Sequence, residues 1–331
     1  MGNLELERQL SGINTPVRRR MAAFFGKRQE PQAVYGLLSE FLFVEGKRLR
    51  PALCLLSCEA VGGKREDAVP AATTIEMFHN FTLIHDDIED CSQIRRGKPC
   101  MHVKYGVPLA INAGDGLFMM VWQEALEIKG AKREGAQRLL LSAFTSVLEG
   151  QARELGWYWE GKWDVDEDDY LQMVQGKTGA LMAASCEVGA LLGGADGKTC
   201  EALSRFGAGI GVGFQIIDDV LNIVGDEKKY QKEIGGDVRE GKRTLITMWA
   251  LKMLTGKKRA RLAGLLKKES KSDKEVEEVV GLLVGSGAAQ KTMDYAQARV
   301  NSALSELGTL PKSKAKDILL LLAGYITKRE R

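Results

Sequence analysis

The chain has 331 residues, 44% of them hydrophobic and 27% charged, with a net charge of +3. That composition is ordinary for a globular protein and leaves room for one large or two medium domains. It carries no polyanion-binding signal, so nucleic acid is not expected as a partner.

Cysteines at 54, 58, 91, 100, 186 and 200 show neither a Cys-x-x-Cys pair nor zinc-ligand spacing, and they read as reduced thiols of a cytoplasmic protein. The start, Met-Gly-Asn-Leu-Glu-Leu, is neither a signal peptide nor a myristoylation site, since Leu6 stands where Ser or Thr is needed. The apolar run Ile318 to Ile326 is too short to span a bilayer, so no integral membrane segment is expected. From residue 251 onward 17 Lys and Arg face 9 Asp and Glu, a balance of +8 against −5 for residues 1–250. A solvated helical face accounts for such a tail, and contact with phosphate or a membrane surface is the other reading.

In chain order, residues 1–45 read as one or two amphipathic helices broken near Pro31. Gly46-Lys-Arg-Leu-Arg50-Pro51 is a basic turn into a core helix over 51–62, ended by Gly62-Gly63. A helix over 67–92 runs into acids, and Arg95 to Pro108 reads as a loop. A long apolar helix over 109–128 is interrupted by Gly114-Asp115-Gly116, and another covers 134–155. Asp164 to Asp169 supplies an N-cap region leading into Tyr170–Met173. Residues 177–193 form a small, apolar, closely packed helix, and 199–225 form a second acid-bearing helix. A charged loop covers 226–243, followed by three or four helices joined at Gly256, Gly285/Gly287 and Pro311. With no alternating strand pattern, the reading is all-α: a single domain, 1–331, of about ten or more helices around a central cavity.

Two acidic stretches organise the rest. In Phe81-Thr-Leu-Ile-His85-Asp86-Asp87-Ile-Glu-Asp90, four acids fall within five residues at the end of an apolar segment. Asp86 and Asp90 share one helix face, with His79 two turns earlier. Carboxylates so placed repel each other unless a cation intervenes, and all-oxygen ligands with room for water suit Mg²⁺. Downstream, Gln215, Asp218, Asn222 and Asp226 recur at offsets of 3, 4 and 4, again on one face. The two faces are expected to oppose each other across a cavity and hold a metal cluster.

Other signals are weaker. Arg95-Arg96, the basic turn at 46–50, Lys232 and Lys242 are surface charges or phosphate ligands. Gln-Gly-Lys177-Thr178-Gly lacks the spacing of a nucleotide-binding P-loop, and Gly207, Gly209, Gly211 and Gly213 do not make a dinucleotide fingerprint. His79, His85 and His102 lack a zinc pattern.

Together these residues resemble the trans-isoprenyl diphosphate (polyprenyl) synthases. Asp86-Asp87-Ile-Glu-Asp90 with Arg95-Arg96-Gly97-Lys98-Pro99 is similar to the family's first aspartate-rich motif and its basic trailer. Gly46-Lys-Arg-Leu-Arg-Pro51 is similar to its early basic motif. Gly213-Phe-Gln-Ile-Ile-Asp218-Asp219 and Gly235-Gly-Asp237-Val-Arg-Glu-Gly241-Lys242 are similar to its second motif and the loop that follows. The similarity runs in order from about residue 40 to 250.

The resemblance implies the isoprenoid synthase fold, a homodimer and three Mg²⁺ held by Asp86, Asp90 and Asp218, with Asp87 and Asp219 supporting. It places Lys47, Arg50, His79 and Arg96 on isopentenyl diphosphate. Arg95, Lys177, Thr178, Gln215, Lys232 and Lys242 fall on the allylic diphosphate. Asn222 departs from the pattern, because many members carry a third Asp there.

The implied mechanism is ionisation, condensation and elimination, with charge on the departing pyrophosphate stabilised electrostatically in a dry, apolar cavity. Phe81, Thr82 and Phe78, five, four and eight residues before Asp86, would set product length in the manner of archaeal-type geranylgeranyl diphosphate synthases. Farnesyl diphosphate, or longer products of 25 carbons and up, are the alternative. A class I terpene cyclase would need no isopentenyl site, and a non-catalytic subunit of a heteromeric synthase usually has decayed acidic motifs.

Overall fold

A computed structural model describes residues 3–44, 46–225 and 234–327, with side chains from residue 5. It is helical almost throughout, as the sequence predicts, and it divides into two compact units. The first comprises 1–144, 181–207 and 307–322, and the second 145–180, 208–306 and 323–331.

The first unit opens with α1 (Asn3–Ile13), α2 (Thr15–Gly26) and α3 (Gln32–Leu42), three helices where one or two are predicted. The extra break falls at Asn14, with Pro16 in the first turn of α2. Next come α4 (Leu49–Ala60) and α5 (Arg65–Glu89), which packs against α2, α4 and α7 (Val107–Ala125). Between α5 and α7 the predicted loop holds a two-stranded ribbon, β1 (Ile94–Arg95) with β2 (Lys98–Pro99), and a short α6 (Met101–Tyr105). The expected interruption of α7 at Gly114 is absent. A Cβ there would collide with the His85 imidazole, so the glycine makes room for α5 and does not break the helix.

Helix α8 (Arg133–Trp159) contributes its first part to this unit, as do α10 (Ala180–Leu192) and the start of α11 (Gly197–Val224). Small residues on α10 allow close approach to α4: a Cβ on Gly189 would run into the Cys54 carbonyl, and one on Gly193 into that of Cys58.

The second unit holds the rest of α8, α9 (Glu167–Val174) and a π-turn, Gln175–Gly179, where α-helix is predicted. Asp166 caps α9, its Oδ1 accepting from the Asp169 amide at 2.8 Å. The remainder of α11 is followed by α12 (Gly236–Glu240), α13 (Leu245–Met253), α14 (Gly256–Leu266), α15 (Asp273–Gly285) and α16 (Ala288–Glu306). With α17 (Lys314–Thr327), which is divided between the units, that makes five α-helices after residue 244 among the described residues instead of three or four. The unforeseen junction is closed by a capping box of Ser272 and Glu275. Gly209 and Gly213 lie against Ala303 and Val300, which brings α11 close to α16.

Candidate active site

The first acidic motif closes α5. Asp86 and Asp90 are both half-buried, and Asp90 forms the C-cap. Two carboxylates at a helix C-terminus meet the negative end of the macrodipole as well as each other, so the position favours a cation. Asp87, rotated inward, is only 1% exposed. Its Oδ1 accepts from Arg95 Nε at 2.7 Å and from Nη2 as well.

The ribbon that supplies Arg95 turns on Arg96 and Gly97, both at positive φ (52° and 74°). Two central residues at positive φ give a tight hairpin. This turn lays the Arg96 guanidinium on Gly46, with its carbon 3.3 Å from where a Cβ would stand. The basic turn and the basic trailer are thereby joined.

Around that junction a cationic cluster forms. Arg50 Nη1 lies 3.2 Å from His79 Nε2. Arginine can only donate, so Nε2 accepts and the imidazole proton sits on Nδ1. Burial first, then Arg50, Arg96 and Arg95, hold His79 well below its ordinary pKa, which leaves it neutral. Burial lowers Arg50 to about 10. Arg48 adopts a left-handed backbone (φ 45°), its carbonyl accepting from Asn14 Nδ2 at 3.0 Å and its Nη2 donating to the Leu42 carbonyl at 2.9 Å. Lys47 Nζ lies 3.4 Å from Glu7 Oε1. Arg50, His79 and Arg96 thus meet in one neighbourhood, while Lys47, on the adjoining turn, is turned toward Glu7.

The second motif, in the second unit, repeats the same division. Asp218 is half-buried, whereas Asp219 is buried and accepts from Tyr170 Oη at 2.6 Å and from Gln215 Nε2 at 3.0 Å. Burial first, then Asp237, raises Asp219 to about 7. Thr178 Oγ1 donates to Gln215 Oε1 at 3.0 Å, so Thr178, Gln215, Asp219 and Tyr170 form one chain of hydrogen bonds.

Lys177 Nζ donates to Glu154 Oε2 at 2.6 Å. Burial pushes Glu154 up, but Lys177, with Lys242 and Arg243, more than reverses that and leaves the carboxyl below its ordinary value. Lys242 lies 3.2 Å from Asp237 and 2.9 Å from Glu240. Arg243, stacked 4.2 Å over both Tyr158 and Trp163, fixes the turn that carries Lys242. Lys232 and Asp226 lie outside the described residues. Asn222, expected on the acidic face, instead accepts from the Asp237 amide at 3.0 Å.

Sequence reasoning does not single out Glu76, Glu154 and Tyr170. The available signal is a lone acid within an apolar run, as Glu76 is between Ile75 and Met77.

Phe81 lies 4.8 Å from the His85 ring and 5.0 Å from Phe118, while Phe78 stacks on Phe144 at 3.7 Å. Thr82 Oγ1 donates to the His79 carbonyl at 2.8 Å, so its hydroxyl is turned back on the helix. A separate depression of about 590 Å³ in the second unit is lined by Glu149, Arg153, Asp168 and Arg299, and includes none of the predicted residues.

Among the described residues no three His, Cys, Asp or Glu side chains are gathered into a metal cage. Half-buried aspartates fit a hard cation that keeps water and shares a diphosphate. Half-buried aspartates and clustered guanidiniums on an all-helical frame have the chemistry that suits a divalent metal and a diphosphate.

The polyprenyl synthetase family model matches residues 31–283. A short chain isoprenyl diphosphate synthase of Methanothermobacter thermautotrophicus is 37% identical over 301 residues, covering 91% of each chain. The crystal structure of a geranylgeranyl pyrophosphate synthetase from Pyrococcus horikoshii is 35% identical, with a TM-score of 0.92 over 98% of this chain and 99% of that one. A polyprenyl synthase from Caulobacter crescentus, solved with calcium and isoprenyl diphosphate, is 29% identical with a TM-score of 0.89, covering 98% and 97%. The chain belongs to the polyprenyl synthetase family and is a trans-prenyltransferase. Among the described residues one helix, Gly197–Val224, is long and apolar enough to cross a membrane, and 67% of its apolar window is buried.

Proposed function

We propose that the protein condenses isopentenyl diphosphate with an allylic diphosphate in trans, releases pyrophosphate, and makes geranylgeranyl diphosphate. The observation that carries this reading is the gathering of Arg48, Arg50, Arg96 and His79 next to the first acidic motif, a charge balance that calls for a diphosphate.

Asp86, Asp90 and Asp218 are the carboxylates assigned to Mg²⁺, three ions per site. When bound, the metal neutralises charge on the diphosphates and stabilises the leaving group. Lys47, Arg50, His79 and Arg96 orient isopentenyl diphosphate. Lys177, Thr178, Gln215, Lys232 and Lys242, with Arg95, hold the allylic diphosphate. Asp87 and Asp219 anchor the neighbouring ligands. The allylic carbon–oxygen bond breaks, the isopentenyl double bond attacks the resulting cation, and a proton leaves to the pyrophosphate. Apolar walls, Phe81 among them, exclude water from the cation and limit chain growth.

Both units act as one synthase domain, in the cytoplasm, as a homodimer. The dimer reading is supported by α7, which exposes Val107, Leu109, Ile111 and Met119. Radiolabelled isopentenyl diphosphate with each allylic starter and Mg²⁺, products sized by chromatography, tests the activity. Farnesyl or longer products would correct the chain length. Hydrocarbon release from geranylgeranyl diphosphate alone, or a purified chain inert with every starter, would overturn the reading.

A further inference from the structure

Glu76 is a carboxylate whose place the reaction does not by itself explain. It is 1% exposed, on the buried face of α5, one turn before His79. Arg48 Nε lies 3.3 Å from its Oε1, and Asn80 Nδ2 donates to the same oxygen at 3.2 Å. Among the described residues no donor reaches Oε2, and the Nε atoms of Arg48 and Arg50 are likewise buried without a hydrogen bond. Burial pushes Glu76 above its ordinary pKa, while Arg48, Arg96, Asn80 and Arg50 pull it down. A buried acid so incompletely hydrogen-bonded is costly, and an uncharged side chain of the same size would avoid that cost.

What the acid does is hold like charges together. Arg48, Arg50 and Arg96 repel one another, and each is acted on by Glu76, with Asp86 and Asp87 as weaker contributors at Arg50 and Arg96. Arg48 also keeps a strained left-handed backbone, a conformation that persists only where surrounding contacts enforce it. Asn14 and Leu42 supply two of those contacts and Glu76 supplies the third. Relaxing that turn would re-aim Lys47 on one side and Arg50 on the other.

We propose that Glu76 is a positioning residue for isopentenyl diphosphate: from beneath the cluster it fixes Arg48 and the spacing of Arg50 and Arg96, and it touches no substrate itself. This rests on the reading of that cluster as the isopentenyl site. The two effects of removing the charge have opposite signs. Losing a negative charge strengthens the field on a diphosphate, while losing the guanidinium geometry weakens a charge-assisted hydrogen bond by roughly ten- to a hundredfold.

The test is Glu76→Gln, with KM measured for isopentenyl diphosphate at saturating allylic diphosphate and the reverse, beside calorimetric binding of isopentenyl diphosphate alone. Positioning predicts a KM for isopentenyl diphosphate raised about tenfold or more, weaker binding to match, and an allylic KM within about twofold of wild type. Asn80→Ala keeps the charge and removes one hold on it, so it should move the same KM in the same direction by less. This variant carries the test if Glu76→Gln does not fold by circular dichroism. An isopentenyl KM that is unchanged or lower in a folded variant, or both KM values rising together, overturns the proposal while the activity stands. A wild-type chain that neither turns over nor binds isopentenyl diphosphate overturns the functional reading, and the proposal with it.

Discussion

Gly150→Ala puts the packing behind Lys177 to a quantitative test. Gly150, on α8, faces the π-turn: a Cβ there would stand 2.8 Å from the Gly176 carbonyl carbon and 3.0 Å from its Cα, with the Lys177 amide nitrogen nearer still. Carbon pairs sit comfortably at about 3.5 Å, so the two backbones must part by roughly 0.7 Å or more. The opposing atoms are all main chain, which no rotamer change can relieve. Overpacking of this kind costs about 1–3 kcal/mol.

Alanine also gains up to about 1 kcal/mol of helix propensity over glycine, which partly masks that cost. Gly156→Ala, on the same helix with nothing within 4 Å, isolates the masking term. Gly156→Ala should therefore be stabilised by about 0.5–1 kcal/mol, and Gly150→Ala should fall below it by about 1–3 kcal/mol in denaturant midpoints. Because the displaced segment carries Lys177 and Thr178, kcat of Gly150→Ala should drop by about a hundredfold, while Gly156→Ala keeps wild-type turnover. If both variants unfold together and turn over alike, the contact is slack and the reasoning fails.

Asp86→Ala should lower turnover by about a thousandfold or more while helical circular dichroism persists; loss of the fold would make Asp86 structural instead. Phe81→Ala should lengthen the product, seen by chromatography of dephosphorylated products, and an unchanged spectrum would assign the stop to another residue. Lys177→Met should cost roughly 1–3 kcal/mol by leaving Glu154 without its cation, and adding Glu154→Leu should restore stability to denaturant but not turnover. Glu275 is held at about 2 against an ordinary 4.5 by its bonds to Lys268 and the Ser272 amide. Its folded value is the depressed one, so its contribution is present above pH 4.5 and is lost as pH falls through about 2. Glu275→Gln should flatten that acid limb in melting curves taken across the interval.

The sequence carried the all-helical class, the helix ends at Gly62 and Gly193, and an N-cap within Asp164–Asp169, because propensity, period and capping are local properties. It also carried the pairing of Asp86 with Asp90, which follows from helix pitch alone. It missed the ribbon at 94–99, since strands of two residues leave no period to detect and the turn places a non-glycine, Arg96, at positive φ. Gly114 reads as a break in the sequence because its collision partner, His85, lies on another helix. Glu76, Glu154 and Tyr170 share one reason for having been passed over. Each matters through a partner distant in the chain or a buried charge, and a single sequence does not display such contacts.

The paired aspartates show how the two kinds of information meet. Adjacent residues on a helix point about 100° apart, so in an Asp-Asp pair at the edge of a core one carboxylate faces out and the other in. The inward one cannot remain unpartnered without a large desolvation cost. Each unit meets that demand with its own partners, Arg95 for Asp87 and Tyr170 with Gln215 for Asp219. A helix gripped by its inward aspartate holds the outward one, Asp86 or Asp218, with less freedom than a lone surface acid would have. Under the proposed function the doubled aspartate is one ligand and one anchor, and the anchors, chemically unlike in the two units, converge on the same mechanical task.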